Sequence, residues 1–202
     1  MSKKIKYLFT IFLLSVLVAA CSDEADFSSD AGLRLQFSAD TIAFDTIFTE
    51  TASSTASFLV YNRGGSSLRV SSVALGGGGA SPFRVNVDGQ YGNDIADVEV
   101  RKGDSIFVFV DVNLNRNNSE TPFLVCDSLV FTLESGDRQN VQLRACGRDA
   151  TVLRAPIFES DSTLAAGAYI VYDSLTVASG ATLTLPAGCE LYFHSKAWMK
   201  VD

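Results

Sequence analysis

Histidine is almost missing from this sequence: His194 is the only one in 202 residues. Zinc centres draw on several closely placed His or Cys ligands, and Ser-His-Asp catalysis needs a histidine held by an orienting partner. His194 stands beside Phe193 on the outward side of a short strand pattern, so no metal and no catalytic residue is assigned. Basic residues are also scarce, 16 Lys and Arg against 23 Asp and Glu. Phosphate binding needs clustered positive charge, which excludes nucleic acid as a partner. The four glycines at 76 to 79 lack the following Lys and Ser or Thr of a phosphate loop, and residues 88 to 94 lack the ligand spacing of a calcium loop, so no cofactor is expected. Long apolar runs are missing as well. The longest, residues 7 to 18, falls short of the ~20 residues that span a bilayer. Helical periodicity is absent from almost the whole chain.

What is present begins with that apolar run. Lys3, Lys4 and Lys6 precede it and Val18-Ala19-Ala20-Cys21 follow it, the order of a secretory signal over residues 1 to 20. Val18-Ala19-Ala20-Cys21 resembles the lipobox of bacterial lipoproteins, which implies that Cys21 takes a diacylglycerol on sulfur and a further acyl chain on its freed amine. Several acyl chains on one residue make a stable anchor, since each buried methylene adds ~0.8 kcal/mol. The expected partner is therefore a lipid bilayer, reached through acylated Cys21. Removing the signal leaves thirteen basic residues against twenty-three acidic ones. Residues 21 to 31, with Asp23, Glu24, Asp26 and Asp30, read as a flexible, solvated tether. The run also resembles the acidic signal that sends some Gram-negative lipoproteins to the outer face of the outer membrane. The expected location is the outer membrane, lipid-anchored, facing the periplasm or the cell surface.

From Leu33 onward apolar residues recur at period two: Leu33, Leu35, Phe37; Ile42, Phe44; Phe83, Val85, Val87; Ile106, Val108, Val110, Val112, Leu114. Such alternation gives each strand one core face and one wet face. Turn signals separate the runs, among them Asn62-Arg63-Gly64-Gly65, Lys102-Gly103-Asp104 and Ser135-Gly136-Asp137. The fold class is all-β, with an antiparallel sandwich over residues 32 to 150. Phe58-Leu59-Val60-Tyr61-Asn62 before Gly64-Gly65, then Leu68-Arg69-Val70, Pro82-Phe83-Arg84-Val85 and Lys102-Gly103-Asp104-Ser105 resemble the immunoglobulin-like domains of the ASPM, SPD-2 and Hydin group. That resemblance implies a spacer or binding module and no particular activity.

Beyond Pro156 the texture changes. Leu175 and Val177, Leu183 and Leu185, Leu191 and Phe193, Met199 and Val201 form four pairs at an offset of eight, with corner-forming residues between them. Three such units return the chain to its starting side after 24 residues, from Leu175 to Met199, as in one turn of a triangular parallel β-helix. Tyr169-Ile170-Val171-Tyr172-Asp173-Ser174-Leu175-Thr176-Val177 and the stretch from 180 to 188 resemble the first coil of right-handed parallel β-helix lipoproteins, placed here at residues 157 to 202. Coils bury their apolar faces only against neighbours. The pattern therefore predicts that the chain is a fragment of a longer protein, or that the open end pairs with a partner.

Two kinds of modification are also expected. With Gly136 as hairpin midpoint, Leu129 opposes Leu143, Phe131 opposes Val141, and Cys126 opposes Cys146 within disulfide range. Cys189 has no mate and reads as a small corner residue. Asp-Ser/Thr-aliphatic runs place Thr41, Thr46, Ser105, Ser128 and Ser174 in a pattern that resembles the acceptor site of a general O-glycosylation system of some bacteria. The same dipeptides also break loops before strands. The function expected is a non-enzymatic surface or envelope lipoprotein that displays a binding surface for an unknown glycan or protein. Alternatives are the N-terminal part of a carbohydrate-active β-helix enzyme and a structural partner in an envelope complex.

Overall fold

The structure, a computed structural model, describes residues 26–202 apart from 52, 119 and 120. The signal segment and Cys21 lie outside the described residues. Alternating Val, Ile and Phe runs favour extended chain because their side chains fit a pleated, half-buried surface. Five of them form one sheet in the order β1 (Gln36–Phe37), β3 (Ala56–Tyr61), β8 (Ser105–Val112), β5 (Phe83–Val87), β6 (Gln90–Gly92). Five more form a second in the order β2 (Thr41–Phe48), β10 (Arg138–Arg148), β9 (Phe123–Leu133), β4 (Leu68–Leu75), β7 (Asp94–Val100). All pairings within the two sheets are antiparallel except that of β2 with β10. Expected inward positions that are buried include Phe83, Val85 and Val87 on β5, Ile106, Val108, Val110 and Val112 on β8, and Ile42 and Phe44 on β2. Phe131 is fully buried, with the rings of Phe37 and Phe58 at 5.0 and 6.5 Å. Burying a side chain of this kind contributes ~1.5–3 kcal/mol. This is an immunoglobulin-like sandwich.

Asn62, read in sequence as the start of a turn, is fully buried. Its amide donates to the carbonyls of Ser66 and Val100 at 2.9 Å, and its Oδ1 accepts the Gly64 N–H at 3.0 Å. The side chain thus closes the turn and ties it to the end of β7.

The β9–β10 hairpin corrects the expected disulfide. Leu133 and Asp137 close a three-residue loop, Gly136 N–H reaches the Leu133 carbonyl at 2.9 Å, and Gly136 adopts φ +88°. A type I turn followed by a left-handed residue places glycine last in the loop. The midpoint is therefore Ser135. Moving it by one residue moves every partner by two: Leu129 faces Val141, Cys126 faces Arg144, and Cys146 faces Leu124. Cys126 and Cys146 become diagonal neighbours, about 7 to 8 Å apart, beyond the ~7 Å limit for bridging. Both thiols are free.

After the sandwich the chain winds. β11 (Thr151–Arg154), β14 (Gly167–Tyr172) and β17 (Cys189–Phe193) make one parallel sheet; β12 (Ile157–Phe158), β15 (Ser174–Val177) and β18 (Trp198–Val201) a second; β13 (Ser162–Thr163) and β16 (Leu183–Thr184) a third. The chain visits the three sheets in turn, so sequence neighbours lie side by side only after a full circuit. Leu175 pairs with Met199 and Val177 with Val201, the register expected from the eight-residue pattern. The strands begin at Thr151, earlier than the expected 157. Each circuit turns its first corner with one residue in the left-handed region: Ala155 (φ 45°), Asp173 (φ 64°) and Lys196 (φ 68°). Asp tolerates this conformation, whereas Ala has no side-chain means of supporting it. Val171, Leu175 and Val177 are buried inside, with Leu153, Phe158, Leu183 and Leu191 packed against them.

Candidate functional site

The sandwich and the winding meet along one seam. β2 and β10 run parallel, so Phe48 and Arg148 stand opposite each other at the same end of the sandwich. The outward face of the β11–β14–β17 sheet lies against them. Period two fixes which residues point there: with Val171 and Leu191 turned inward, Ala168, Ile170, Tyr172, Tyr192 and His194 turn outward. Phe48 packs with Ala150, Ala168, Ile170, Tyr172 and Tyr192 in one apolar cluster. Its ring meets Tyr192 edge-on at 4.8 Å.

Arg148 closes the seam. Its Nη2 holds a Glu190 carboxylate oxygen at 2.6 Å, and its Nη1 donates to the Tyr192 hydroxyl at 3.1 Å. The Tyr192 hydroxyl in turn donates to Glu190. Hydrogen bonds from Tyr192 first and from Arg148 second hold the Glu190 carboxyl below its usual 4.5. The bond to Glu190, then burial, pushes the Tyr192 hydroxyl above 10.0, and Glu190 also raises Arg148. The guanidinium Nε is buried without a hydrogen-bond partner, and the two Nη nitrogens join the units.

Beside this network runs a ladder. In the sheet order β11–β14–β17, Arg154 and His194 fall on opposite sides of Tyr172. The Arg154 guanidinium lies over the Tyr172 ring at 4.5 Å, and the His194 imidazole stacks on it at 4.5 Å with an interplanar angle of 27°. Cation–π and ring stacking of this kind orient a side chain as well as stabilise it.

The seam leaves a cleft on each side. One, of about 450 Å³, is bordered by Thr46, Phe48, Ser54, Tyr172, Tyr192 and His194 among others. The other, of about 590 Å³, is polar and charged, with Arg116, Arg148, Asp149 and Glu190 on its walls. Among the described residues no three His, Cys, Asp or Glu side chains converge as a metal site, and no helix is long and apolar enough to cross a membrane.

The five expected glycan acceptors fall in different settings. Ser128 lies under the glycine loop: its hydroxyl is 2.8 Å from where a side chain on Gly76 would begin, and Asp127 accepts from Gly77 N–H at 3.0 Å. Thr46, Ser105 and Ser128 each donate their backbone N–H to the preceding aspartate at 2.7 to 2.8 Å. Asp104 stands just before the first residue of β8, whereas Asp45 and Asp127 lie within β2 and β9. Thr41, Ser105 and Ser174 are half-buried, whereas Thr46 is exposed at the edge of the aromatic cleft. Cys189 pairs with Gly167 at the start of β17. Sequence reading passed over Arg154, Tyr172 and Tyr192, which alternate with the inward Leu153, Val171 and Leu191, and over Arg148, which lies on a sandwich strand outside the eight-residue pattern.

The sequence matches no known family model and no curated protein. Solved structures align with parts of it at low identity and with TM-scores below 0.5. A Vibrio cholerae protease, VesB, aligns over 55% of this chain and 31% of its own, at 15% identity and a TM-score of 0.37. A family 123 glycoside hydrolase from Clostridium perfringens that hydrolyses glycolipid glycans aligns over 61% and 26%, at 9% identity and 0.39. The ASH or PapD-like domain 7 of human CEP192 aligns over 65% of this chain and 96% of its own, at 10% identity and 0.38. The chain thus spans about a third or less of the two enzymes. These likenesses assign no activity, but the expectation that the chain is not an enzyme is corrected by them. Two of the neighbours are hydrolytic enzymes, and the exclusion of catalysis is withdrawn.

Proposed function

We propose that this chain is an exported, lipid-anchored envelope protein whose sandwich carries and orients a parallel β-helix as a binding or display surface. The observation that carries this reading is the seam: a shared apolar cluster around Phe48 and a three-membered Arg148–Glu190–Tyr192 network join the two units. A stalk transmits orientation only when its attachment has such fixed contacts. The three parallel sheets, each visited once per circuit, support the β-helix reading, and Val18-Ala19-Ala20-Cys21 supports the anchor. Cys21 is the proposed lipidation site. Of the proposed O-glycan acceptors, Thr46 is the most accessible.

Metabolic labelling with a fatty-acid probe tests the anchor. The full-length chain is expected to take up label and partition with membranes, and Cys21→Ser to lose both. An unlabelled wild type, or a labelled Cys21→Ser, would sink the reading. A structural role in an envelope complex is the second reading. It is favoured by β18, where Trp198 and Val201 are exposed, because exposed apolar side chains suit a protein partner. Cross-linking through cysteines placed at these two positions distinguishes it.

A further inference from the structure

We propose that the aromatic cleft at the seam binds a neutral saccharide. The inference deepens the reading of a presented binding surface by naming the ligand class. It does not depend on acylation of Cys21, so the failure of either can be told from the failure of the other.

Three observations carry it. The first is the charge of the walls. The chain as a whole is acidic, with a net charge of −7, and the cleft across the seam is bordered by Arg, Asp and Glu. The aromatic cleft has no Asp, Glu, Lys or Arg among its described lining residues. A charged ligand would find no partner there and would lose its hydration.

The second is the pairing of ring surface with hydroxyls. Phe48, Tyr172, Tyr192 and His194 supply the rings, and Thr46 and Ser54 are among the hydroxyl residues that line the same cleft. A pyranose has the matching character: apolar C–H faces that pack on rings, and a rim of hydroxyls that both donate and accept. Serine and threonine hydroxyls do the same and rotate to suit their partner. A purely apolar ligand would leave them unpaired, which is costly in a desolvated site.

The third is preorganisation. Tyr172 is clamped between Arg154 and His194, and Tyr192 is fixed by Arg148, Glu190 and Phe48. Rings already held in place lose little freedom when a ligand arrives. His194 ends the ladder with its far face unstacked among the described residues, and it is exposed. That face is the platform we assign to the sugar ring. At about 450 Å³ the cleft is within the ~300–1,000 Å³ range of small-molecule sites, room for a short oligosaccharide end.

The test uses the full-length protein in a detergent without a sugar headgroup. Maltotriose, cellotriose, mannotriose and chitotriose are titrated at millimolar concentration, with saturation-transfer NMR and calorimetry as readouts. At least one is expected to bind saturably, with an affinity insensitive to added salt because no ion pair is involved. His194→Ala removes the platform and should weaken binding about tenfold, the effect of losing one good contact. Ser54→Trp fills the cleft from an exposed position and should abolish binding while the urea midpoint stays unchanged. No binding to any of the four sugars overturns the proposal. So does binding that neither substitution changes.

Discussion

The sandwich and the winding are both built from alternating apolar residues, yet they bury them to very different degrees. From Leu35 to Ala145 the sandwich holds one continuous cluster, with Val60, Val70, Val108, Val110, Leu129 and Phe131 completely shielded. The winding shields Val171, Leu175 and Val177, while Met199 and Val201 at its outer end stay exposed. The difference is topological. Two sheets packed face to face complete each other, whereas a coil is completed only by the coil above it. Among the described residues the sandwich therefore holds the larger core, and the winding meets it through the seam.

The largest expected effect tests that asymmetry. Phe131→Ala should cost about 3–5 kcal/mol, the range for emptying a buried aromatic site, and urea unfolding would show it across the whole chain. Leu175→Ala removes an equally buried side chain but from the smaller cluster. Hydrogen exchange should then accelerate within residues 151 to 202 while amides of β8 and β9 keep their protection. Equal loss of protection in both units would show that they unfold as one, and the comparison would fail.

Next in size comes the seam, where pH is the probe. Glu190 is held below its ordinary 4.5 by Tyr192 and Arg148. A carboxyl with a lowered folded value adds stability that is fully present above the unfolded value, and that stability is lost as pH falls through the folded one. Wild type should accordingly lose stability below about pH 4.5, and Glu190→Gln should flatten that part of the curve. Tyr192 has the opposite sign: its value is raised above 10.0, so its contribution is present below pH 10 and fades as the hydroxyl ionises. An unaltered acid limb in Glu190→Gln would mean that the ion pair does not couple the units.

How much of this could be read from the sequence depends on the range of the cause. The strands of the sandwich were legible because period two is local: Ile106, Val108, Val110, Val112 and Leu114 announce their own face, and all five are buried. The Leu175–Met199 register was legible because its repeat is carried by neighbouring units. The first circuit was missed at Thr151 because its spacing differs, Thr151 facing Tyr169 eighteen residues on and Tyr169 facing Leu191 after twenty-two. The seam was illegible for a further reason. Phe48, Arg148, Tyr172 and Tyr192 come from four strands, and nothing local to any of them names the others.

A smaller effect distinguishes corners within the winding. Ala155, Asp173 and Lys196 all take left-handed conformations at the first corner of a circuit, and alanine, unlike aspartate, has no polar side chain to support one. Ala155→Gly should relieve about 1 kcal/mol of strain, offset in part by the greater freedom of glycine in the unfolded chain. A gain in thermal midpoint is expected. Asp173→Gly should give less, since aspartate already tolerates the conformation. Equal gains at both would show that the corner chemistry is not what sets the winding's stability.

The smallest effect belongs to Cys126. Had Gly136 been the centre of its hairpin, Cys126 and Cys146 would have been bridged, and Cys126→Ser would have cost about 2–5 kcal/mol and altered mobility on a non-reducing gel. With Ser135 at the centre, Cys126 faces Arg144 from an exposed position with its thiol free. The substitution should then change stability by less than about 0.5 kcal/mol, as exposed sites do, and leave mobility untouched. The measurement reads the hairpin register directly, because a two-residue slip is the only difference between the two outcomes. A bridged hairpin would move every inward residue of β10 past its partner on β9. It would also change which of its side chains reach Phe48 and the seam.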